Sequence, residues 1–381
     1  MRVLHLLKTA VGAAWALRQM RLLVEYGLEV HAALPDGPLV PHYRAAGVTV
    51  HLAQFDLPIR RPQSWPALFA RLRALVDAVQ PDIVHSHFVG TTLAMRLALG
   101  RSHPVPRLFQ VPGPLHLEHP FFRRAEIASA GPADAWIGSC RWTCDRYLQS
   151  GIAPQRVFLS YYGIDTDSFV PAVPGALRAE LGLAPEQRIV GMVAYMYAPK
   201  RYLGQSRGLK GHEDLIDALA LVRQQRPEVI GVFAGGAWNN VTAYEQQVRA
   251  YGRQRLGDAA VFLGTRGDIA ALYADFDVVV HPSHSENVGG AAESLLLAVP
   301  TISTNVGGFP DVVIPGETGW LVPPRSPSRL AAAIHQALDN PARARELAAS
   351  GQRHVRRLFD VRRTAAEVRD IYHTVLAAMH L

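Results

Sequence analysis

Glu286 and Glu293, two glycine pairs and two strand-like runs share residues 277 to 319, DVVVHPSHSENVGGAAESLLLAVPTISTNVGGFPDVVIPGETG. The run from Asp277 to His281 reads as a buried parallel strand, and the loop from Ser283 to Gly290 leads into a helical run from Ala291 to Ala298. A helix N-terminus offers unpaired N–H groups and roughly half a positive charge, and glycines let an anion come close to that backbone. Asn287, Val288, Gly289 and Gly290 are therefore expected to hold a diphosphate. Glu293, placed in the first turn, is a short, rigidly held carboxylate that can accept two ribose hydroxyls at once. Glu286 lies on the preceding loop, free to face whatever the diphosphate carries. Thr301 to Thr304 then reads as a second strand, and Asn305 to Gly308 as a second tight turn at the same end of the sheet.

That order of strand, acids, helix, small-residue-Pro strand and Gly-Gly turn before Asp311 resembles the C-terminal domain of retaining glycosyltransferases of family 4, with the GT-B fold. The family spaces its two glutamates as E-x7-E. Here six residues separate Glu286 from Glu293, while Glu293 to Pro300 keeps the family register. The resemblance implies Glu293 as the ribose ligand. It also implies a phosphate lysine in a segment ending K-G, and AYMYAPKRYLGQSRGLKGHEDLI at 194 to 216 puts Lys210 there, before Gly211. This segment is longer than the family's, and Arg207 is taken as the accompanying arginine, with Lys200 and Arg201 as substitutes. Gly264, Thr265 and Arg266 are expected around the nucleobase, uracil being the commoner base in the family and guanine the other candidate.

In the first half, the loop from Lys8 to Ala14 resembles the family's glycine-containing loop beside acceptor and donor phosphate, so Gly12, Ala13 and Trp15 are the candidates, with Arg18 on the same helix. His85-Ser86-His87 matches the family's V-H-x-H run, whose histidines line the cleft floor. Where the family has an H-G pair contacting the transferred sugar, this chain has Pro112-Gly113, and His116 is expected to substitute. Lys210, Arg207, Glu286 and His116 make up the expected catalytic set. Side chains and a helix dipole can together neutralise a leaving diphosphate, so no metal and no cofactor beyond the nucleoside diphosphate sugar is expected. The one D-x-D match, Asp165 and Asp167, falls in YYGIDTDSFVP, the family's interdomain segment.

The implied reaction is retaining transfer of a sugar from a nucleoside diphosphate sugar to a hydroxyl of a glycan or lipid-linked glycan. A nucleotide-sugar epimerase of similar two-domain architecture is the alternative, against which Lys210-Gly211 counts. A dehydrogenase would need G-x-G-x-x-G after the first strand, where only Gly12 stands.

Positioning such a site takes a parallel sheet with helices on both faces, and the chain reads as two of them. Apolar runs at Val3 to Leu7, Glu29 to Leu34, Val48 to His51, Ile83 to His87, Arg107 to Val111, Trp136 to Ser139 and Val157 to Ser160 alternate with amphipathic helices. After a Pro- and Gly-containing stretch, Ile189 to Val193 opens a second series. The predicted class is α/β, two doubly wound Rossmann-like domains facing across a cleft. Residues 1–170 form the acceptor domain, with a terminal helix 362–381 packing back on it, and 171–361 form the donor domain.

The 381 residues are 49% hydrophobic and 19% charged, an ordinary globular balance that supports two cores. No apolar run approaches the ~18 residues of a membrane span and no leader is read, so a cytoplasmic protein is expected. Cys140 and Cys144 share one helix face and are not in a zinc or redox pattern. The net charge of +7 is scattered, without the clustered arginines and aromatics of a nucleic-acid binder. It points instead to anionic ligands or peripheral contact with an anionic membrane, the candidates being Arg60, Arg61, Arg71, Arg73, Arg96, Arg101, Arg107, Arg123 and Arg124.

Overall fold

The computed structural model describes residues 1–111, 113–201 and 204–379, so Pro112 and the last two residues of the expected tail helix lie outside the described residues. The chain divides into two compact units, Met1–Asp165 with Phe359–Leu381, and Thr166–Leu358. The observed division follows Asp165 where the sequence reading placed it at 170/171.

In unit 1 the strands are β1 (Arg2–Leu6), β2 (Glu29–Leu34), β3 (Thr49–Leu52), β4 (Ile83–Ser86), β5 (Arg107–Val111), β6 (Asp134–Gly138) and β7 (Val157–Leu159). Among the described residues they form one parallel sheet in the order β3-β2-β1-β4-β5-β6-β7. Alternation along β1 sends Val3 to one face and Leu4 and Leu6 to the other, where each meets a separate layer of helices. The Val3 face is closed by the helix Val361–Met379, whose Val368, Ile371, Tyr372 and Val375 sit in the same core as Ile83, Leu108 and Ile137.

Unit 2 has β8 (Arg188–Val193), β9 (Val229–Ala234), β10 (Ala260–Gly264), β11 (Val278–His281), β12 (Thr301–Thr304) and β13 (Trp320–Val322). They too are all parallel, in the order β10-β9-β8-β11-β12-β13. Ile189, Val190, Val232, Val279 and Ile302 pack with Leu215, Leu219 and Ile334 of the flanking helices. In each sheet the strand order reverses once, between β1 and β4 and between β8 and β11, and ligands of such sheets bind at the carboxyl ends of strands at that reversal.

Two of the arginines expected on a basic face are not there. Arg96 and Arg107 are buried, with Arg96 bonded to Glu126 at 2.6 Å and Asp134 at 2.8 Å, and Arg107 to Asp134 at 2.7 Å. Trp136 closes the group, giving its indole N–H to Glu126 at 2.9 Å beneath the Arg96 guanidinium. A charge buried without such partners would be too costly to keep.

Candidate functional site

The carboxyl ends of β8, β9, β10 and β11 surround a cavity of about 310 Å³. Its walls follow the strands in turn: Tyr195, Tyr197 and Lys210 after β8, Gly235 after β9, Thr265 and Arg266 after β10, Gly290 and Glu293 after β11. Lys210, Thr265, Arg266, Gly290 and Glu293 are thus brought together from segments far apart in sequence.

The helix behind this wall runs Gly289–Leu296, two residues earlier than the sequence predicts. Ala298 takes a left-handed conformation at φ 56°, which ends the helix before Val299. The glycine pair is therefore inside the first turn and Glu293 one turn further in, not in the first turn. Val288 is the residue before the helix, so the backbone N–H groups of Gly289 and Gly290 are among those without helical partners. A side chain at Gly290 would meet the His281 ring at 2.9 Å, so only glycine lets this turn lie against β11.

Lys210 precedes the helix His212–Val222. Gly211 between them has φ +74°, and a Cβ there would lie 2.0 Å from the Pro282 carbonyl oxygen. Glycine is what allows the Lys210 loop to pass directly over the loop after β11. The Lys210 ammonium consequently reaches Glu286, with which it forms a close ion pair, and stands 5.6 Å from the centre of the Tyr197 ring. Glu286 also accepts the Asn287 backbone N–H at 3.1 Å, and the Asn287 amide oxygen is buried with no partner among the described residues. Two buried imidazoles flank the lysine. Burial, with the Lys210 charge adding, holds His281 down to about 3. Burial chiefly also holds His212 down to about 4, a backbone hydrogen bond opposing and the Lys210 charge adding to the shift.

Arg207 is placed away from the cavity where it was expected. Its guanidinium pairs with Asp214 at 2.5 Å and Asp217 at 2.7 Å, and Asp214 also binds His284 at 2.5 Å. It braces the loop onto the helix His212–Val222 and is absent from the cavity wall, as are Lys200 and Arg201. Arg266 is at the wall but shared with Glu180 at 2.7 Å and Asp268 at 2.6 Å. Gly264 ends β10, and its carbonyl oxygen accepts the Gly235 N–H at 2.7 Å. Sequence reasoning passed over Tyr197 and Gly235. The signal for Gly235 was available, since Gly235-Gly236 follows a buried strand as the Gly289 pair does.

In unit 1, Gly12 lies on the exposed loop after β1, and Ala13 is buried with its carbonyl accepting the Tyr43 hydroxyl at 3.0 Å. Trp15 packs edge-on to Tyr162 at 4.4 Å and to His87 at 5.3 Å, and Arg18 donates to the Gly163 carbonyl at 3.2 Å. His116 sits against Tyr147, 3.3 Å from its hydroxyl, and against Phe109, and burial holds it down to about 4. His85 and His87 are fully buried.

A family model described as "Glycosyltransferase Family 4" matches residues 13–168, and one described as "Glycosyl transferases group 1" matches residues 201–354. The D-inositol 3-phosphate glycosyltransferase of Thermobispora bispora is 27% identical over 375 residues, covering 91% of this chain and 82% of that protein. The fold is similar to that of HepE from Anabaena, solved in complex with UDP, with a TM-score of 0.78 and 21% identity over 97% of this chain and 99% of that one. Sucrose-phosphate synthase from Thermosynechococcus elongatus is similar too, with a TM-score of 0.79 and 22% identity over 99% of this chain and 100% of that one.

Proposed function

We propose, from the match of residues 13–168 to the family 4 model and of residues 201–354 to the group 1 model, that this chain is a retaining nucleotide-sugar-dependent glycosyltransferase of the GT-B fold, that the cavity at the ends of β8 to β11 is its donor site and that the donor is a UDP-sugar. The convergence of Lys210, the Gly289-Gly290 helix turn and Glu293 on one cavity carries this reading. HepE, whose fold is similar, has been solved with UDP and with UDP-glucose.

In the proposed binding mode the diphosphate lies between the first turn of Gly289–Leu296 and the Lys210 ammonium. The helix supplies N–H donors and a partial positive charge, and the ammonium supplies a full one. Glu286 holds that ammonium in place, and with three donors it can serve a phosphate while keeping Glu286. As the bond from sugar to diphosphate breaks, these fixed positive groups stabilise the charge gathering on the leaving group without having to reorient. Glu293 accepts the ribose hydroxyls, and Gly264, Thr265 and Arg266 border the base. No metal is assigned a part in these steps.

Unit 1 is assigned the acceptor, a hydroxyl of a glycan or lipid-linked glycan, with Gly12, Ala13 and Trp15 beside it. A cytoplasmic setting with peripheral contact to an anionic membrane is part of the same proposal, and the helix Pro120–Ala128 supports the contact: it exposes Phe121 and Phe122 beside Arg123 and Arg124. Among the described residues no helix is long and apolar enough to cross a membrane. Vesicle sedimentation tests the contact, and equal binding to neutral and phosphatidylserine-containing vesicles at low salt would exclude it.

The purified chain, presented with UDP-, GDP-, ADP- and dTDP-sugars, should slowly hydrolyse one UDP-sugar. Lys210→Ala should lower that rate about 10²-fold or more, and Glu293→Ala should raise the donor KM about a hundredfold or more through two lost charge-assisted hydrogen bonds. Interconversion of sugars without nucleotide release, or turnover indifferent to both substitutions, would overturn the reading.

A further inference from the structure

Where the strand order of unit 1 reverses, three fully buried imidazoles meet: His5 on β1, His85 on β4, and His87 just beyond it. The donor reading leaves them without a task. Each offers one ring nitrogen, and these three atoms lie within 4.8 Å of one another. Burial holds all three in the neutral form, His5 down to about 3 and the other two well below the ordinary histidine value. A neutral imidazole has one N–H and one lone pair, and here the surrounding hydrogen bonds assign which nitrogen has which.

The assignment starts at Tyr162, whose hydroxyl donates to the Gln110 carbonyl at 3.1 Å. Its oxygen therefore accepts from Nδ1 of His87 at 3.0 Å. Nε2 of His87 is then bare and accepts from Nδ1 of His5 at 2.9 Å. Nε2 of His5 accepts from the Tyr372 hydroxyl at 3.4 Å, and the Tyr372 oxygen accepts from Nδ1 of His85 at 2.6 Å. The series stops at Nε2 of His85, a buried lone pair with no hydrogen-bond partner among the described residues. An imidazole nitrogen kept from water and from any donor is destabilising unless something accepts that lone pair.

We propose that His5, His85 and His87 form a structural binding site for one divalent cation of the zinc class, ligated by Nε2 of His85, Nε2 of His87 and Nδ1 of His5. Two of the three nitrogens already present lone pairs, and only His5 has to exchange tautomers. Its Nδ1 proton leaves and the Tyr372 hydroxyl proton moves to its Nε2, so one proton is released per cation. Each imidazole then gives its outer N–H to a phenolic oxygen, His87 to Tyr162 and both His5 and His85 to Tyr372, the outer hydrogen bonding that orients metal-bound histidines. The Tyr372 oxygen, accepting two N–H groups, carries the charge that offsets the cation.

Imidazole nitrogens suit zinc, nickel, cobalt and copper, whereas calcium and magnesium need the oxygen ligands that this cluster lacks. Tetrahedral ligation at about 2.0–2.1 Å spaces nitrogens about 3.3 Å apart, so the 2.9 Å contact between His5 and His87 opens by a few tenths of an ångström. The cation would fasten β1 and β4 to the helix Val361–Met379.

Because the site is sealed, loading is tested through folding. Untagged full-length protein is purified from zinc-supplemented cells without chelator, and separately unfolded with EDTA and refolded with zinc or cobalt. Metal analysis should find about one equivalent per chain in the wild type and at least tenfold less in His5→Gln and His85→Gln, and the cobalt form should show visible absorption bands that the metal-free protein lacks. The metal content and cobalt spectrum of the wild type decide the matter even where a variant fails to fold. Wild-type protein that holds no metal by either route, or variants that keep the full equivalent, would overturn the proposal and leave the cluster as a hydrogen-bonded relay alone.

Discussion

His212 and His281 sit on either side of Lys210, and burial makes both of them acid-sensitive. Their folded values, about 4 and about 3, lie below the roughly 6.5 of an unfolded histidine. As pH falls below 6.5 the unfolded chain takes up these protons and the folded chain does not. Their full contribution to stability is therefore present above pH 6.5 and is lost progressively toward pH 4 and 3, by up to about 1.4 kcal/mol per pH unit for each group. Urea unfolding at pH 7, 6 and 5 should show this loss, and His281→Asn should reduce its slope by about one proton. An unchanged slope would mean that His281 titrates freely in the fold. At this scale the gathering of Glu293, Gly290, Thr265 and Arg266 at one cavity was legible from the apolar strand runs that precede them, and that of Lys210 from the Lys-Gly pair before its helix. Arg207 was not, because its partners Asp214 and Asp217 lie on a helix face whose orientation toward the loop is set by the left-handed turn at Gly211.

Among the elements, the strands were the easiest to read, since both faces of a parallel sheet are covered and the runs stay apolar throughout. The helices Pro327–Asp339 and Pro341–Phe359 were missed. In the second, arginines surround Ala344, Leu347, Ala348, Val355 and Phe359, whose three- and four-residue spacing is nonetheless that of a buried face. The arginines of unit 1 misled in the opposite direction. Arg96 and Arg107 read as surface charge because Glu126 and Asp134 stand 30 and 38 positions beyond Arg96 and meet it only once β5, β6 and the helix Pro120–Ala128 are assembled. Asp134→Asn keeps the shape but leaves two buried guanidinium groups short of charge. It should destabilise unit 1 by about 3–5 kcal/mol, read as a lower unfolding midpoint by near-ultraviolet circular dichroism. A midpoint within experimental error of the wild type would show the network to be dispensable.

At the level of the whole molecule, the two doubly wound sheets were evident from the order of runs, and the sequence places a helix at the tail without showing which surface it covers. The helix Val361–Met379 supplies Val368, Ile371, Tyr372 and Val375 to the core beneath β1 and β4, each apolar side chain contributing about 1.5–3 kcal/mol on burial. A chain ended at Phe359 should therefore lose the calorimetric transition of unit 1, or show it at a much lower temperature, while the transition of unit 2 persists. Two unaltered transitions would show the helix to be an accessory. That arrangement also sets a timetable for biosynthesis. Domains emerging from the ribosome ordinarily fold in the order in which they are made, yet here the first sheet must wait for its last helix until residues 166–358 have been added, roughly 10–40 s later at about 5–20 residues per second. During that interval unit 2 can finish folding while one apolar face of unit 1 stays open to solvent, so it is the earlier-made half that is exposed to aggregation until that helix emerges.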